Sequence, residues 1–507
     1  MSNNAPGIQA VINTAPLGQP APALGSDSLL IVGYAIWGLF NVPTLVTSWN
    51  DYVAKFGGLH ANSEMSRAVN LFFKNGGRRA WVVRAENTTA VKGTAVVPDS
   101  HATPTTILTA TAKHASDANA VDVKITVSAG TATATKKLVI ESAKLNVREI
   151  FDNFKITFTN QQQAALDLGN SQFNDFQSVS SKSKLVNLTK NGANAHTSPD
   201  NLPASGISTL TGGSDALSGV TDLVASLNLF TEDFGPGIIA APGFTAFTAA
   251  LVANAENTKR IAIVELDPDD TATDALTVRA SLDSSYAAIY YPPRVQMRDI
   301  AGGTAIKEYS PTGAVAGIFA RAETEIGIHK APANYRLAEV VGYDETLYGT
   351  VNDALRETLN ERQINAIAKL PEQGIKVYGA RVLKSYGRVT AIHEQRVLNA
   401  IYYRLKRSLQ DFVFQPANQS LFREIRSTCN QYMRELYRSG ALYSPTGNDD
   451  EAFRVICDES NNPPENLQQH RVSVDVWVHL VGMAEMVLVN INSVPLATEL
   501  DIVGGNQ

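Results

Sequence analysis

The sequence predicts an α/β fold built on a doubly wound, mostly parallel sheet, with a small β-rich insertion domain and an α+β C-terminal domain. Three observations carry this. Short apolar runs alternate with helical periodicity on both sides of a long interruption. The interruption, residues 86–200, is rich in Thr, Ser, Ala and Asn and alternates apolar with polar positions. The last third carries long amphipathic helices followed by a strictly alternating stretch.

Residues 1–25 hold Pro6, Pro16, Pro20 and Pro22, which forbid helix and predict an extended arm. Ser28–Tyr34 then reads as a buried strand, 48–56 and 63–74 as helices, Asn75-Gly76-Gly77 as a helix stop, and Arg79–Arg84 as the next strand. Within the insertion, Val121–Val127 and Phe154–Phe158 read as half-exposed antiparallel strands. The rhythm resumes near 205: a helix opened by Gly212-Gly213-Ser214-Asp215 and running to Phe230, strands at 237–241, 260–265 and 286–291, helices at 244–257 and 271–282. Further on, Val397, Ile401, Leu405 and Leu409 form one helical stripe, and Leu421, Ile425, Tyr432 and Leu436 another. Val472, Val474, Val476, Val478 and Leu480 face one way along a strand, and Met486–Ile491 reads as a further strand. The expected boundaries are 1–25 for the arm, 26–85 with 201–345 for the α/β domain, 86–200 for the insertion, 346–492 for the C-terminal domain and 493–507 for a tail.

Length and composition bound the function. A chain of 507 residues, 44% apolar and 18% charged, has enough apolar material for about three cores. Cys429 and Cys457 have no metal-ligand spacing and read as small buried side chains. The first 50 residues carry one charge, Asp27, so a secretory signal with its basic start is not expected. The longest apolar run, Leu29–Phe40, is too short to span about 30 Å of hydrocarbon. These features predict a soluble protein assembled in a cytoplasm, with no membrane insertion.

Motifs for chemistry are sparse. The chain lacks a Walker loop, a G-x-G-x-x-G after a strand, H-E-x-x-H and G-x-S-x-G. Glu265-Leu-Asp-Pro-Asp-Asp270 ends a predicted strand, and Asp267, Asp269 and Asp270 would be the metal ligands of an α/β hydrolase; the alternative is a solvated turn before a helix. The amides of 212–215 could meet an anion or simply cap a helix. No catalytic residues, metal or cofactor are expected.

Charge is more informative. Between Pro371 and Gly440 twelve Lys and Arg face five acids, a local excess of seven positive charges in a chain of net −6. Such a stretch is a solvated helix face or a surface registering an acidic partner. It lacks a nucleic-acid-binding motif, which leaves nucleic-acid binding as the second alternative.

Four segments together resemble the tail sheath proteins of contractile-tailed phages and related contractile injection systems. They are Pro6-Gly7-Ile8 with 28–35 and Asn41-Val-Pro43; Phe56-Gly-Gly58 with 68–77 and 80–84; Ser310–Gly317 with Gly327–Ala333; and Ile364-Asn-Ala366 with Gly374–Arg381, Phe414-Gln-Pro-Ala-Asn418 and Val455–Asp458. Tyr378 stands where a tryptophan is common, and Gly482-Met-Ala-Glu485 lacks a proline often found before Ala-Glu. The resemblance implies a structural subunit of the virion tail, not an enzyme. It would polymerise as stacked helical rings around a tail tube and contract to drive the tube through the target envelope. Its other partners would be baseplate and tail terminator proteins, without direct nucleic-acid contact. The C-terminal domain would exchange strands with neighbours through Ile8, Val11 and Ile12 of the arm and Val472, Val474, Val476, Val478, Val487 and Val489. Arg396, Arg404, Lys406 and Arg407 would face the tube.

Overall fold

The computed structural model describes residues 25–59, 63–85, 89–117, 121–157, 172–193, 196, 202–214, 223–299 and 305–485. The arm and the predicted strand at 486–491 lie outside the described residues.

The chain begins as expected. Strand β1 (Leu29–Gly33) is buried along its whole length, so both faces of the sheet are covered where it lies. After β2 (Thr44–Val46), Ser48 caps α1 (Trp49–Phe56) by accepting from the Asp51 amide, and Ser63 caps α2 (Glu64–Lys74) through Met65. Asn75 ends α2, and β3 (Ala80–Arg84) returns parallel to β1.

The insertion makes two small sheets. One joins β4 (Thr94–Pro98) and β5 (Thr106–Ala112) to a later strand; the other holds β6 (Lys124–Ala129), β7 (Lys136–Ser142) and β8 (Val147–Phe154). Helix α3 (Phe176–Lys182) leads into β9 (Val186–Lys190), which completes the first sheet, and β10 (Gly206–Thr209) completes the second by pairing antiparallel with β6. The insertion's pairing therefore extends past residue 200, to the Val91–Ser214 bridge. Two strand expectations shift here. Asp122 adopts φ 45°, which breaks the extended run before Lys124. Asn153 at φ 54° bends the chain where β8 ends, so Phe154 closes a strand that was expected to start there.

Beyond 222 come α4 (Leu223–Asn228), β11 (Ile238–Ala240), α5 (Thr248–Asn257), β12 (Ile261–Val264), α6 (Ala272–Ala280) and β13 (Ala287–Tyr291). A small antiparallel sheet of β14 (Val295–Arg298), β15 (Ile306–Tyr309) and a third strand flanks α7 (Thr312–Glu325). Then follow β16 (Tyr335–Arg336), β17 (Val340–Gly342, that third strand), α8 (Glu345–Tyr348), α9 (Asp353–Glu361), β18 (Ile364–Leu370) and β19 (Gly374–Tyr378).

These assemble a nine-stranded sheet of order β16-β19-β18-β13-β12-β11-β1-β3-β2. From β3 to β18 every pairing is parallel, and the edge pairs β2–β3, β18–β19 and β16–β19 are antiparallel. Strand order reverses once, at β1, between β3 and β11. Residues 364–378, expected in the C-terminal domain, extend this sheet, with β18 buried from Ile364 to Ala368 and β19 half-buried beside it; strand-forming residues alone do not say which sheet they join.

Helix α7 lies on α2 at backbone contact. A Cβ on Gly313 would meet the Ala68 carbonyl oxygen at 2.0 Å, and one on Gly317 would meet Phe72 O at 2.7 Å. This explains the glycines of the 310–317 segment, which let two helices touch without intervening side chains.

The C-terminal part packs α10 (Ile392–Ser408), α11 (Gln419–Arg438), α12 (Asp449–Ala452), β20 (Phe453–Ile456), α13 (Pro464–Gln468) and β21 (Asp475–Val478) around a separate core. Both predicted helical stripes are present, and Cys429 and Cys457 are buried in that core as free thiols, with burial pushing Cys429 up to about 11.

Two buried arginines tie elements together, and sequence reading missed both. Arg84 donates to the carbonyls of Gly38 and Ala115, joining the insertion to the sheet, and sits 4.1 Å from the Phe40 ring centroid. Arg260 donates to the carbonyls of Gly235, Phe230 and Thr231, and burial lowers its pKa to about 10. Each satisfies carbonyls that would otherwise be buried unpaired.

Candidate assembly surface

Strands β20 and β21 form a two-stranded antiparallel sheet, with Phe453 opposite Val478 and Ile456 opposite Asp475. Val474, Val476, Val478 and Leu480 are half-buried against the C-terminal core, as the alternation predicts. Val472 lies outside the strand and is exposed, and Trp477 on the opposite face is 62% exposed. Ile8, Val11, Ile12, Val487 and Val489 lie outside the described residues.

Several polar groups stake this segment to the body. The Asn461 and Asn462 side-chain amides both donate to the Ser473 carbonyl, and Ser473 N donates back to Asn462 Oδ1 at 2.6 Å. His479 N donates to Ala452 O, and His393 Nε2 lies 3.0 Å from the Val481 carbonyl. Arg381 pairs with Glu485, the last described residue. The chain thus reaches 485 held on the body: past Val478 it pairs antiparallel with residues 441–443 through the Leu442–Leu480 bridge, while among the described residues no further strand joins the two-stranded sheet of β20 and β21. Open edges of this kind are templates for further strands.

The basic stretch divides into residues engaged within the chain and an exposed row, and the four residues expected to face a tube differ among themselves. Arg396 is 3% exposed: it pairs with Glu323 Oε2 at 2.5 Å, whose other oxygen accepts from Ser26 Oγ. Its guanidinium also sits 5.3 Å from the Phe319 ring centroid. Arg404 is largely covered, 5.4 Å from the Tyr432 ring centroid and 4.0 Å from Glu435. Lys406 is exposed but pairs with Glu232, which holds its pKa above the ordinary lysine value. Arg407 lines, with Arg404, His329 and Tyr432, a cavity of about 330 Å³ between α7, α10 and α11. Arg396 and Lys406 therefore fasten α10 to the sheet domain, Arg396 also to the root of the arm through Glu323 and Ser26, while Arg404 ties α10 to α11.

The outward basic row is on α11. Its apolar face buries Leu421, Ile425, Cys429, Met433 and Leu436, which turns Arg423, Arg434 and Arg438 outward, with Arg426 beside them. These four line a shallow groove with Ser427, Asn430, Gln431 and Glu435. Arg434 contacts Asp449 at 3.0 Å and Arg426 approaches Asp458 at 3.9 Å; all four residues are substantially exposed, so water screens both pairs. The row spans about 22 Å at 1.5 Å per residue.

The other candidates resolve as structural turns. Asp267 accepts from Thr245 Oγ1 at 2.6 Å, and its amide donates to Asp270. Asp270 is raised by burial and by its acidic neighbours, and Thr271 with Asp274 forms a capping box on α6. Glu265 accepts from Ser310 Oγ and from Gly243 N. No cluster of three His, Cys, Asp or Glu able to hold a metal occurs among the described residues. The helix expected to open at 212–215 has its first residues, 215–222, outside the described residues. Ser214 bridges Val91, and a Cβ on Gly213 would lie 2.3 Å from the Ser116 carbonyl, so the glycine permits close strand approach. No described helix is long and apolar enough to cross a membrane.

Residues 216–382, which include β11 to β13, β18 and β19 of the large sheet, match the family model of the phage tail sheath protein central domain. The chain is similar to tail sheath proteins. It is 24% identical over 338 residues to a prophage major tail sheath protein of Pseudomonas aeruginosa, covering 65% of this chain and 81% of that one. It is 24% identical over 208 residues to the tail sheath protein of Salmonella phage ViI, covering 39% of this chain but 28% of that longer one. Among solved structures, the anti-feeding prophage helical sheath in its contracted state aligns at TM-score 0.57 and 18% identity, over 97% of this chain and 99% of that one. The sheath tail protein of Desulfitobacterium hafniense aligns at 0.57 and 16%, over 89% and 94%. These likenesses establish a mixed α/β sheath-protein fold.

Proposed function

We propose that this chain is the sheath subunit of a contractile tail or injection particle, polymerising helically around an inner tube and contracting to drive that tube through a target envelope. The observation that carries the reading is the open two-stranded β20–β21 sheet on a chain whose central region matches the sheath domain. Its two missing strands would come from Ile8–Thr14 of one neighbour and Val487–Val489 of another. Repeating that contact with a rotation that does not close builds a helical tube from one chain. Main-chain pairing would also keep copies linked while their bodies rotate.

In this reading the tube-facing role goes to the α11 row of Arg423, Arg426, Arg434 and Arg438, which lines up along one outward helix face, whereas on α10 Arg396 and Arg404 are covered and only Lys406 and Arg407 are exposed. Screened charge holds a partner reversibly and lets it go. Contraction would draw its work from folding and lattice contacts. A few kcal/mol at each copy sum over many copies.

Deleting residues 1–20 tests the reading. The truncated chain is expected to fold, with a far-ultraviolet spectrum and melting transition like those of the full chain, and to form no tubes under electron microscopy. Intact tubes from the truncated chain would overturn the arm's role.

A further inference from the structure

The 409–418 loop, part of a segment that the resemblance singled out, has no role so far. After α10 a short 3₁₀ turn, Gln410–Phe412, leads into Val413, Phe414, Gln415 and Pro416 before Asn418 caps α11. The loop is closed by its own hydrogen bonds: Val413 N to Gln410 O, Gln415 N to Phe412 O, Gln415 Nε2 to Asp411 O and Asn418 N to Pro416 O. Asn418 Oδ1 in turn accepts from Ser420 N and Leu421 N. At its tip Phe414 is fully exposed, at 102%, and Val413 is 58% exposed. Phe414 also holds φ 68°, a left-handed backbone that disfavours any side chain with a Cβ.

Two costs thus meet at one residue: an aromatic ring kept in water, and a backbone region suited to glycine. Among the described residues nothing offsets either. Five residues further on, α11 begins and carries the arginine row, so the apolar tip and the cationic groove lie on one continuous stretch of chain.

We infer that Phe414, with Val413, is the apolar anchor of the surface formed by the α11 arginine row, and that the partner carries an apolar socket rimmed by carboxylates. The inference rests on the proposed sheath reading, in which that partner is the inner tube. The chemistry follows interface anatomy: a preorganised aromatic anchor fills a dry pocket and sets the dissociation rate, while exposed charges around it set the encounter rate and the salt dependence.

The test uses the full-length chain assembled on the purified inner-tube polymer of the same particle. Association and release are followed by light scattering and pelleting at low and high salt. Phe414→Ala is expected to shorten residence on the tube roughly 10- to 30-fold at both salt concentrations, with association within about twofold of wild type. The double variant Arg434→Glu, Arg438→Glu is expected to slow association and flatten its salt dependence. Phe414→Gly is expected to lose residence as Phe414→Ala does, with a melting temperature equal to or above wild type, because glycine relieves the left-handed backbone. Unchanged residence in Phe414→Ala would overturn the anchor. So would a lowered melting temperature in both Phe414 variants, which would make the ring part of the fold. Loss of tube-free polymerisation in Phe414→Ala would overturn the partner assignment in favour of a second copy. A wild-type chain that never associates with the tube would overturn the sheath reading itself, and the anchor with it.

Discussion

Replacing Arg396 by methionine asks whether its guanidinium is an internal fastener or a partner contact. In the structure it is 3% exposed, pairs with Glu323 and stacks near Phe319, while Glu323 also accepts from Ser26 at the root of the arm. Breaking a fully buried pair costs about 3–5 kcal/mol. Glu323 is 21% exposed, so water softens the loss to about 2–3 kcal/mol, and the lost cation–π contact adds about 0.5–1 kcal/mol. A total near 3 kcal/mol, at about 2–4 °C per kcal/mol for a unit of 150–250 residues, lowers the melting temperature by about 6–12 °C. Calorimetry of the full chain at fixed protein and salt concentration reads this directly. The double variant Arg396→Met, Glu323→Leu is expected to recover more than half of the loss, because no carboxylate is then stranded. A single variant that melts like wild type while losing only partner binding would refute the assignment and return Arg396 to an exposed interface.

Two further outcomes follow from the packing and from the titrating groups. Gly313→Ala places a methyl 2.0 Å from the Ala68 carbonyl oxygen and forces α7 off α2, an overpacking cost of about 3 kcal/mol; a melting temperature within 1 °C of wild type would contradict that contact. Burial, reinforced by Arg84, Lys92 and Lys113, lowers His114 from 6.5 to about 4, and burial also lowers His393. The unfolded chain therefore binds more protons than the folded one between these values, so stability falls as pH drops from about 6.5 towards 4. Melting temperature against pH should slope less in His114→Gln; an identical slope would remove His114 from the account.

The local signals of the fold were readable because they are short-range. Ser48 and Ser63 precede apolar-periodic helices and cap them, and the 237–291 strands are continuous apolar runs that both faces of a buried sheet require. Pairing between distant segments was not readable. Residues 364–378 and 206–209 carry ordinary strand composition, and nothing in it says that the first pair extends the large sheet and the second closes a sheet of the insertion. Which basic residues are exposed was not readable from their count, for a different reason. Counting charge over 371–440 ignores which way each residue points. Arg404 lies seven positions after Val397 and so falls on the buried stripe of α10, whereas Arg423, Arg434 and Arg438 lie opposite the Leu421–Leu436 stripe of α11. Helical spacing contained that distinction. The Glu323–Arg396–Ser26 clasp joins residues far apart in sequence, and no spacing could have announced it.

Helical reconstruction of the polymer formed by the full-length chain tests the central claim most directly. The account predicts that segments from two other copies, one from an N-terminal arm and one from a C-terminal tail, pair with the outer edges of β20 and β21 in a four-stranded sheet. A polymer in which both edges stay bare, or are filled by the same copy's own ends, would contradict it.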